Sequence, residues 1–227
     1  MSAGRLPGGI RRGLLGVALV LAVLTAACGD DGEVATTTTT TVAVTTSTAA
    51  PIPVATCPGQ RSERSDDWTL YRLEAEYMFL HPADWTVAAP AIIPAGDAFH
   101  ADTLAEAGVG PEAEVSVLTV AGPSPSGVPG VHLVTLTGVT SPLEVLYARQ
   151  EAHVVSTSST DLREVLDAGV SGCLGDEPAL GLVLLYDYSV VHVWSAVRAG
   201  TLYVFLLVAE DQTQVEVLDE VLRSWAW

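Results

Sequence analysis

The sequence predicts an α+β domain: an α/β/α sandwich whose helices cover a central antiparallel sheet. Three observations lead there. The segment Thr201–Ala209 is apolar at both parities rather than alternating, and so is Val190–Arg198. Ala199-Gly200 between them permits a two-residue hairpin, which makes the pair antiparallel. Two helical segments elsewhere each carry a single apolar stripe. An antiparallel sheet ordinarily leaves one face in water, and these strands cannot, so the helices are the expected covers. The alternative is a closed β-barrel with a filled interior and a C-terminal helix.

From the N-terminus, Arg5, Arg11 and Arg12 precede an apolar run over residues 13–25, and Ala26-Ala27 lead into Cys28. A positive start, a short apolar stretch and small residues before the cut are the pattern of an export leader. The run falls short of the roughly 20 residues a transmembrane helix needs. Residues 1–27 are therefore read as a cleaved signal peptide. The layout resembles the lipobox of bacterial lipoproteins, with Thr25 standing where leucine is favoured. That resemblance implies a diacylglyceryl thioether on Cys28 and cleavage just before it. The lipid would hold the chain on the outer face of the bacterial cytoplasmic membrane, and two or more acyl chains make such a foot stable. Arg11-Arg12-Gly13-Leu14-Leu15 also resembles a twin-arginine signal. The chain has no lysine, however, so any basic leader must be written in arginine. General secretion is the expected route.

Residues 28–56 read as the lipidated cysteine followed by a disordered linker. Thr36 to Thr41 form an unbroken threonine run, and Pro51-Ile52-Pro53 closes the segment. Nothing in it buries enough apolar surface to offset the entropy of ordering. As a coil it spans roughly 30 Å root-mean-square, and fully stretched roughly 90–100 Å. Such a stalk would hold the domain clear of the membrane and within the cell wall, and threonine-rich stretches of this kind are candidates for O-glycosylation.

Residues 57–227 are enough for one domain with a sizeable core. With Cys28 modified, Cys57 and Cys173 remain, both outside the cytoplasm, where disulfides persist. A bridge between them is expected, closing a loop of roughly 100 residues for up to about 4.7 kcal/mol in the chain-entropy model. Ser141-Pro142-Leu143-Glu144 reads as a capping box with proline at the first helical position, followed by Leu143, Leu146 and Tyr147 on one face. Asp211 and Gln214 mark a second such start, followed by the stripe Val215, Leu218, Leu222 and Trp225. The proline- and glycine-rich segments 88–96 and 121–130 read as long irregular loops, and loops on a rigid sheet commonly carry recognition.

The composition sets 27 acidic residues against 10 arginines, a formal charge of −17. Such a balance argues against nucleic acid and against lying flat on anionic lipid. It leaves room for a basic partner or divalent cations, with a solvated acidic surface as the plain reading.

Tyr77-Met78-Phe79-Leu80-His81-Pro82-Ala83-Asp84-Trp85 resembles the opening of PsbP-like domains, in which an aromatic strand turns through a Pro-x-x-Trp step. Leu222-Arg223-Ser224-Trp225-Ala226-Trp227 is similar to that family's closing segment, and residues 172–180 resemble its glycine-containing turn. The resemblance spans most of residues 68–227. With the leader and stalk, the chain also looks like exported actinobacterial lipoproteins of the LpqN type. It implies a three-layer sandwich used for binding or scaffolding, generally without catalysis. No functional residue transfers, because Pro82, Trp85 and Trp225 match as packing and turn positions.

Motifs for chemistry are sparse. His81, His100, His132, His153 and His192 are scattered singly, without the spacing of a metal site. Each reads as a satisfied, partly buried side chain. Residues 122–127, Gly-Pro-Ser-Pro-Ser-Gly, do not have the spacing of a nucleophile elbow. The missing lysine removes a phosphate loop and a Schiff base. Acidic groups gather at Glu63, Asp66 and Asp67, at Asp97, Asp102 and Glu106, and at Glu112 and Glu114, without a calcium-loop spacing. No catalytic residue, metal or cofactor is therefore expected. The expected function is a lipid-anchored extracytoplasmic binding or scaffolding module with a protein or cell-wall partner. The alternatives are a carrier of a small apolar ligand, held between the sheet and one helix, and a hydrolase with an unrecognised site.

Overall fold

The computed structural model describes residue 57 and residues 67–73, 76–124, 128–156 and 162–227. The leader, Cys28 with its linker to residue 56, and Glu63 and Asp66 lie outside the described residues. Among those described, no helix is long and apolar enough to cross a membrane.

Ten strands and four helices follow one another among the described residues. Strands β1 (Trp68–Leu73) and β2 (Tyr77–Pro82) pair antiparallel as a separate two-stranded sheet. The main sheet takes β3 (Thr86–Val87), β4 (Ala91–Pro94), β5 (Glu114–Ala121), β6 (Gly130–Thr137), β7 (Leu162–Leu174), β8 (Glu177–Tyr186), β9 (Val190–Arg198) and β10 (Thr201–Ala209). Its order is β3-β5-β6-β10-β9-β8-β7, with β4 also on β5, and every pairing is antiparallel. The helices are α1 (Ala95–Ala98), α2 (Ala101–Ala107), α3 (Leu143–Ser156) and α4 (Gln212–Arg223).

The α+β expectation with a central antiparallel sheet is met, and the closed barrel is not. The sheet is open, bounded by β7 on one side and by β3 and β4 on the other. Edge strand β7 protects itself by irregularity. Its register against β8 shifts three times, and such bulges twist an edge away from further pairing.

Strand β10 occupies the middle of the sheet, which explains its two apolar parities. Tyr203, Phe205 and Leu207 enter a core with Val215, Leu218, Val221 and Leu222 of α4 and with Tyr77 and Phe79 of β2. Leu202, Val204 and Leu206 enter a different core with Leu104 and Ala107 of α2 and Leu146 of α3. The hairpin from β9 to β10 turns on Ala199 (φ 48°) and Gly200 (φ 75°), the two positive φ values a two-residue turn of this kind requires.

Helix α4 starts as its sequence predicts. The Asp211 carboxylate accepts from the Gln214 N–H at 2.9 Å, and the Gln214 side chain accepts from the Glu210 N–H at 2.8 Å. The box expected at Ser141 is not formed. The Ser141 hydroxyl donates to the Glu106 carbonyl at the end of α2, and the Pro142 carbonyl accepts from Val145 and Leu146, so proline precedes the first helical residue. A serine that joins two helices competes here with its own cap. Segment 88–96 also departs from expectation: β4 and the start of α1 lie within it, because residues 91–94 find a partner strand in β5.

Tyr147 joins α3 to the bulged edge. Its hydroxyl donates to the Gly181 carbonyl of β8 at 2.9 Å and accepts from the Gly169 N–H of β7 at 2.6 Å. Tyr147→Phe is expected to cost about 1–3 kcal/mol, because the buried Gly181 carbonyl and the partly buried Gly169 N–H both lose a partner. Urea unfolding of the two proteins measures this, and coincident midpoints would contradict it.

Candidate functional site

The two halves of the sheet are covered differently. On the face that receives α4, the strands β5, β6 and β10 lie beneath α4 and the β1–β2 hairpin. The C-terminal segment closes that half. Ala226 exchanges backbone hydrogen bonds with Met78 at 2.8 and 2.9 Å, and Ser224 is bonded to Leu80. Trp225 stacks on Tyr77 and Phe79, with centroids 4.4 and 5.4 Å away, and meets Phe205 edge-on at 4.7 Å. The space between sheet and helix here, lined by Phe79, Leu118, Phe205, Val221 and Trp225, is about 10 Å³. That holds about one water, far less than a carried ligand needs.

The other half of the same face, on β9, β8 and β7, is covered at one end, where Leu174, Ala179 and Ala196 are buried in the same core and Trp194 packs against it, and is only partly buried beyond that end. Alternation along each strand sorts the side chains. Leu180, Leu182, Leu184 and Val191 point toward α3 and are buried with Leu143, Tyr147 and Val154. Val183, Leu185, Val190, His192 and Trp194 point the opposite way, and none is fully buried. The register confirms that they share a face, since Val183 pairs with His192, Gly181 with Trp194, and Leu185 with Val190.

Trp194 lies flat on this surface because two glycines give it room. A β-carbon built on Gly172 would sit 2.6 Å from the indole, and one on Gly181 would sit 3.0 Å from it. The ring therefore rests on backbone, as aromatic residues do when they shield glycine in a sheet. Gly172→Ala should cost about 1–3 kcal/mol by overpacking. Most of that loss should vanish in a Trp194→Ala background, a coupling that a double-mutant cycle reads directly. Additive losses would break the contact argument.

The disulfide stands next to this floor. Cys57 and Cys173 are joined, with Cα atoms 5.6 Å apart, and Cys173 directly follows Gly172. The adjoining end of the surface is fixed by Trp227, whose indole N–H donates to the Leu174 carbonyl at 3.0 Å. Arg198 lies 5.2 Å from the Trp227 ring centre and pairs with Asp176 and Glu177.

His192 and Asp219 form the ionisable part. His192 follows the strand alternation onto the open face, and Asp219 is on α4, which packs over β10. Burial lowers the His192 pKa, against the pull of Asp219. Burial also raises the Asp219 pKa, against His192 and Arg223, with Glu216 adding to the rise. Burial thus disfavours the charged form of both the imidazole and the carboxylate. The buried serine on β9, Ser195, faces away and donates to Gln150 of α3 at 2.8 Å.

The remaining histidines are placed one by one. His81 is buried and bonded to the Pro82 carbonyl, His132 is bonded to Thr119, and His100 caps α2 through the Asp102 N–H. His100 and His153 stack with centroids 4.2 Å apart. Among the described residues, no three His, Cys, Asp or Glu side chains are grouped to hold a metal ion. Asp97, Asp102, Glu112 and Glu114 are exposed, whereas Glu106 is half-buried and paired with Arg149. Within segment 88–96, residues 91–94 pair along β5, and residues 125–127 of segment 121–130 lie outside the described residues. Sequence reasoning missed the Trp194 surface. Its signal was an alternation, His192 and Trp194 on one side of a strand, whose floor is glycine from two other strands.

No family model matches the chain, and no curated protein matches it. Among solved structures, the chain is similar to the solution structure of cyanobacterial PsbP (CyanoP) from Synechocystis sp. PCC 6803. The likeness has a TM-score of 0.47 at 14% sequence identity, and covers 76% of this chain and 97% of that one.

Proposed function

We propose that the protein is a lipid-anchored, extracytoplasmic binding module with a three-layer α/β/α sandwich of the PsbP-like kind, and that its recognition surface is the open half-sheet of β7, β8 and β9. The observation that carries this reading is the unequal covering of one sheet face. Helix α4 and the C-terminal aromatic segment seal one half, while Val183, Leu185, Val190 and His192 stay only half-buried on the other, with Trp194 at the border between the two. Contiguous apolar surface on a soluble domain marks an interaction site, and tryptophan is among the side chains that dominate binding energy in such sites. The small space under α4 weighs against a carrier of a buried ligand. The leader, Cys28 and the threonine stalk support placement outside the cytoplasmic membrane, where a tethered domain searches the cell wall for its partner.

Photo-crosslinking in intact cells tests the surface. A photoreactive side chain at Val183 or Leu185 should capture a partner that the same group at exposed Ile92, on the far edge of the sheet, does not. Equal capture from both positions would end the assignment. The anchor has its own check: Cys28→Ser should move the protein from membranes to the soluble fraction. Unchanged fractionation would rule out lipid on Cys28.

A further inference from the structure

The open half-sheet is apolar across its middle and acidic at the flank of α4. Val183, Leu185, Val190 and Trp194 form the floor, and Asp219, half-buried on α4 with exposed Glu216 in its field, interacts with His192 of the same face. Among the described residues, positive charge near that carboxylate is scarce, with Arg72 exposed on β1. Arg149, Arg163, Arg198 and Arg223 are each held in an ion pair, and Arg223, whose field reaches Asp219, is bonded to Glu220 at 2.7 Å. Burial disfavours the charged form of His192, the other neighbour of Asp219. The protein as a whole sets 27 acids against 10 arginines, so its field draws positively charged partners from a distance. An open strand face gives a small molecule one wall but gives a protein segment a bed.

Resting on the assignment of this face as the recognition surface, we infer that its occupant is a basic amphipathic segment of a partner protein. A lysine or arginine of that segment meets Asp219 beside His192, and its apolar side chains lie on Val183, Leu185 and the Trp194 ring. Pairing would offset the cost of a half-desolvated carboxylate that its own surroundings leave poorly compensated. The arginine or ammonium would also lie within reach of an indole face, which attracts cations. Edge pairing on β7 is disfavoured by its three register shifts, so the segment uses the face rather than the edge.

The test uses the full chain with Cys28→Ser, to avoid lipid and detergent. Three synthetic ten-residue peptides alternate leucine with lysine, glutamine or glutamate. Amide shifts are followed by NMR at pH 7.5 in low salt. The lysine peptide should bind most tightly and move the amides of residues 183–185, 190–194 and 219. Asp219→Asn should weaken it about tenfold, as should moderate salt, with no change for the glutamine peptide. Equal affinity of the lysine and glutamine peptides at this face would overturn the basic partner while sparing the face. Shifts elsewhere only, or none with any peptide, would overturn the face itself and the inference with it. An unchanged lysine-peptide affinity in Asp219→Asn, with its fold verified by circular dichroism, would remove Asp219 from the site.

Discussion

Breaking the Cys57–Cys173 bond is expected to lower the stability of the domain by about 2–5 kcal/mol. The two cysteines are 116 positions apart, so the bond removes the freedom of a very long loop from the unfolded chain. In the chain-entropy account a loop of about 100 residues contributes about 4.7 kcal/mol, and native proteins commonly realise somewhat less. The native-state consequences are local. Cys173 lies between Gly172, on which the Trp194 ring rests, and Leu174, whose carbonyl holds the Trp227 indole. Reduction therefore frees the chain preceding the domain and loosens the end of β7 that floors the open face. Urea unfolding with and without reductant, and of the Cys57→Ala/Cys173→Ala pair, should show the same lowered midpoint in the reduced and doubly substituted proteins. An oxidised protein that unfolds at the midpoint of the reduced one would show the bridge to be thermodynamically idle.

The features legible in the sequence were those in which one local pattern has one physical solution. Thr201–Ala209 had to be covered on both faces, because a strand apolar at both parities cannot leave one in water, and β10 has α4 on one side and α2 with α3 on the other. Asp211 and Gln214 announced α4 because a capping pair is a short-range device, and both side chains make the expected backbone bonds. The cysteine pair was legible by elimination. The β1–β2 hairpin was not, since Trp68–Leu73 is short with no residue fully buried, and only the tertiary fold separates it from the main sheet. The Ser141 box failed for the opposite reason: a carbonyl from another helix, invisible in the local pattern, took the hydroxyl. The open face was hidden for a third reason. Gly172, Gly181 and Trp194 sit on three different strands, and His192 meets Asp219 only because α4 folds back over β10. A site assembled by sheet register and helix docking leaves no spacing to find.

Acid should destabilise the domain through His132 well before its carboxylates titrate in bulk. The side chain is on β6, partly buried, and hydrogen-bonded to the Thr119 hydroxyl of β5 at 3.1 Å. Burial disfavours the imidazolium and lowers the pKa from 6.5 to about 4. Above pH 6.5 the folded and unfolded chains both hold a neutral ring, and this residue contributes no pH dependence. As pH falls from 6.5 toward 4, the unfolded chain takes up a proton that the folded chain refuses. Stability then drops by about 1.4 kcal/mol per pH unit, about 3 kcal/mol across the window. Half-buried His192, whose pKa is also lowered, pulls the same way. Asp219, whose pKa is raised, gives back part of the loss once its carboxylate begins to protonate. His132→Leu removes the titrating group while keeping the strand apolar, so its unfolding midpoint should change much less between pH 7 and pH 4.5 than that of the parent protein. Urea titrations at the two pH values decide it. An undiminished acid loss in His132→Leu would assign the refused proton to another buried ring and leave His132 a bystander in the β5–β6 pairing.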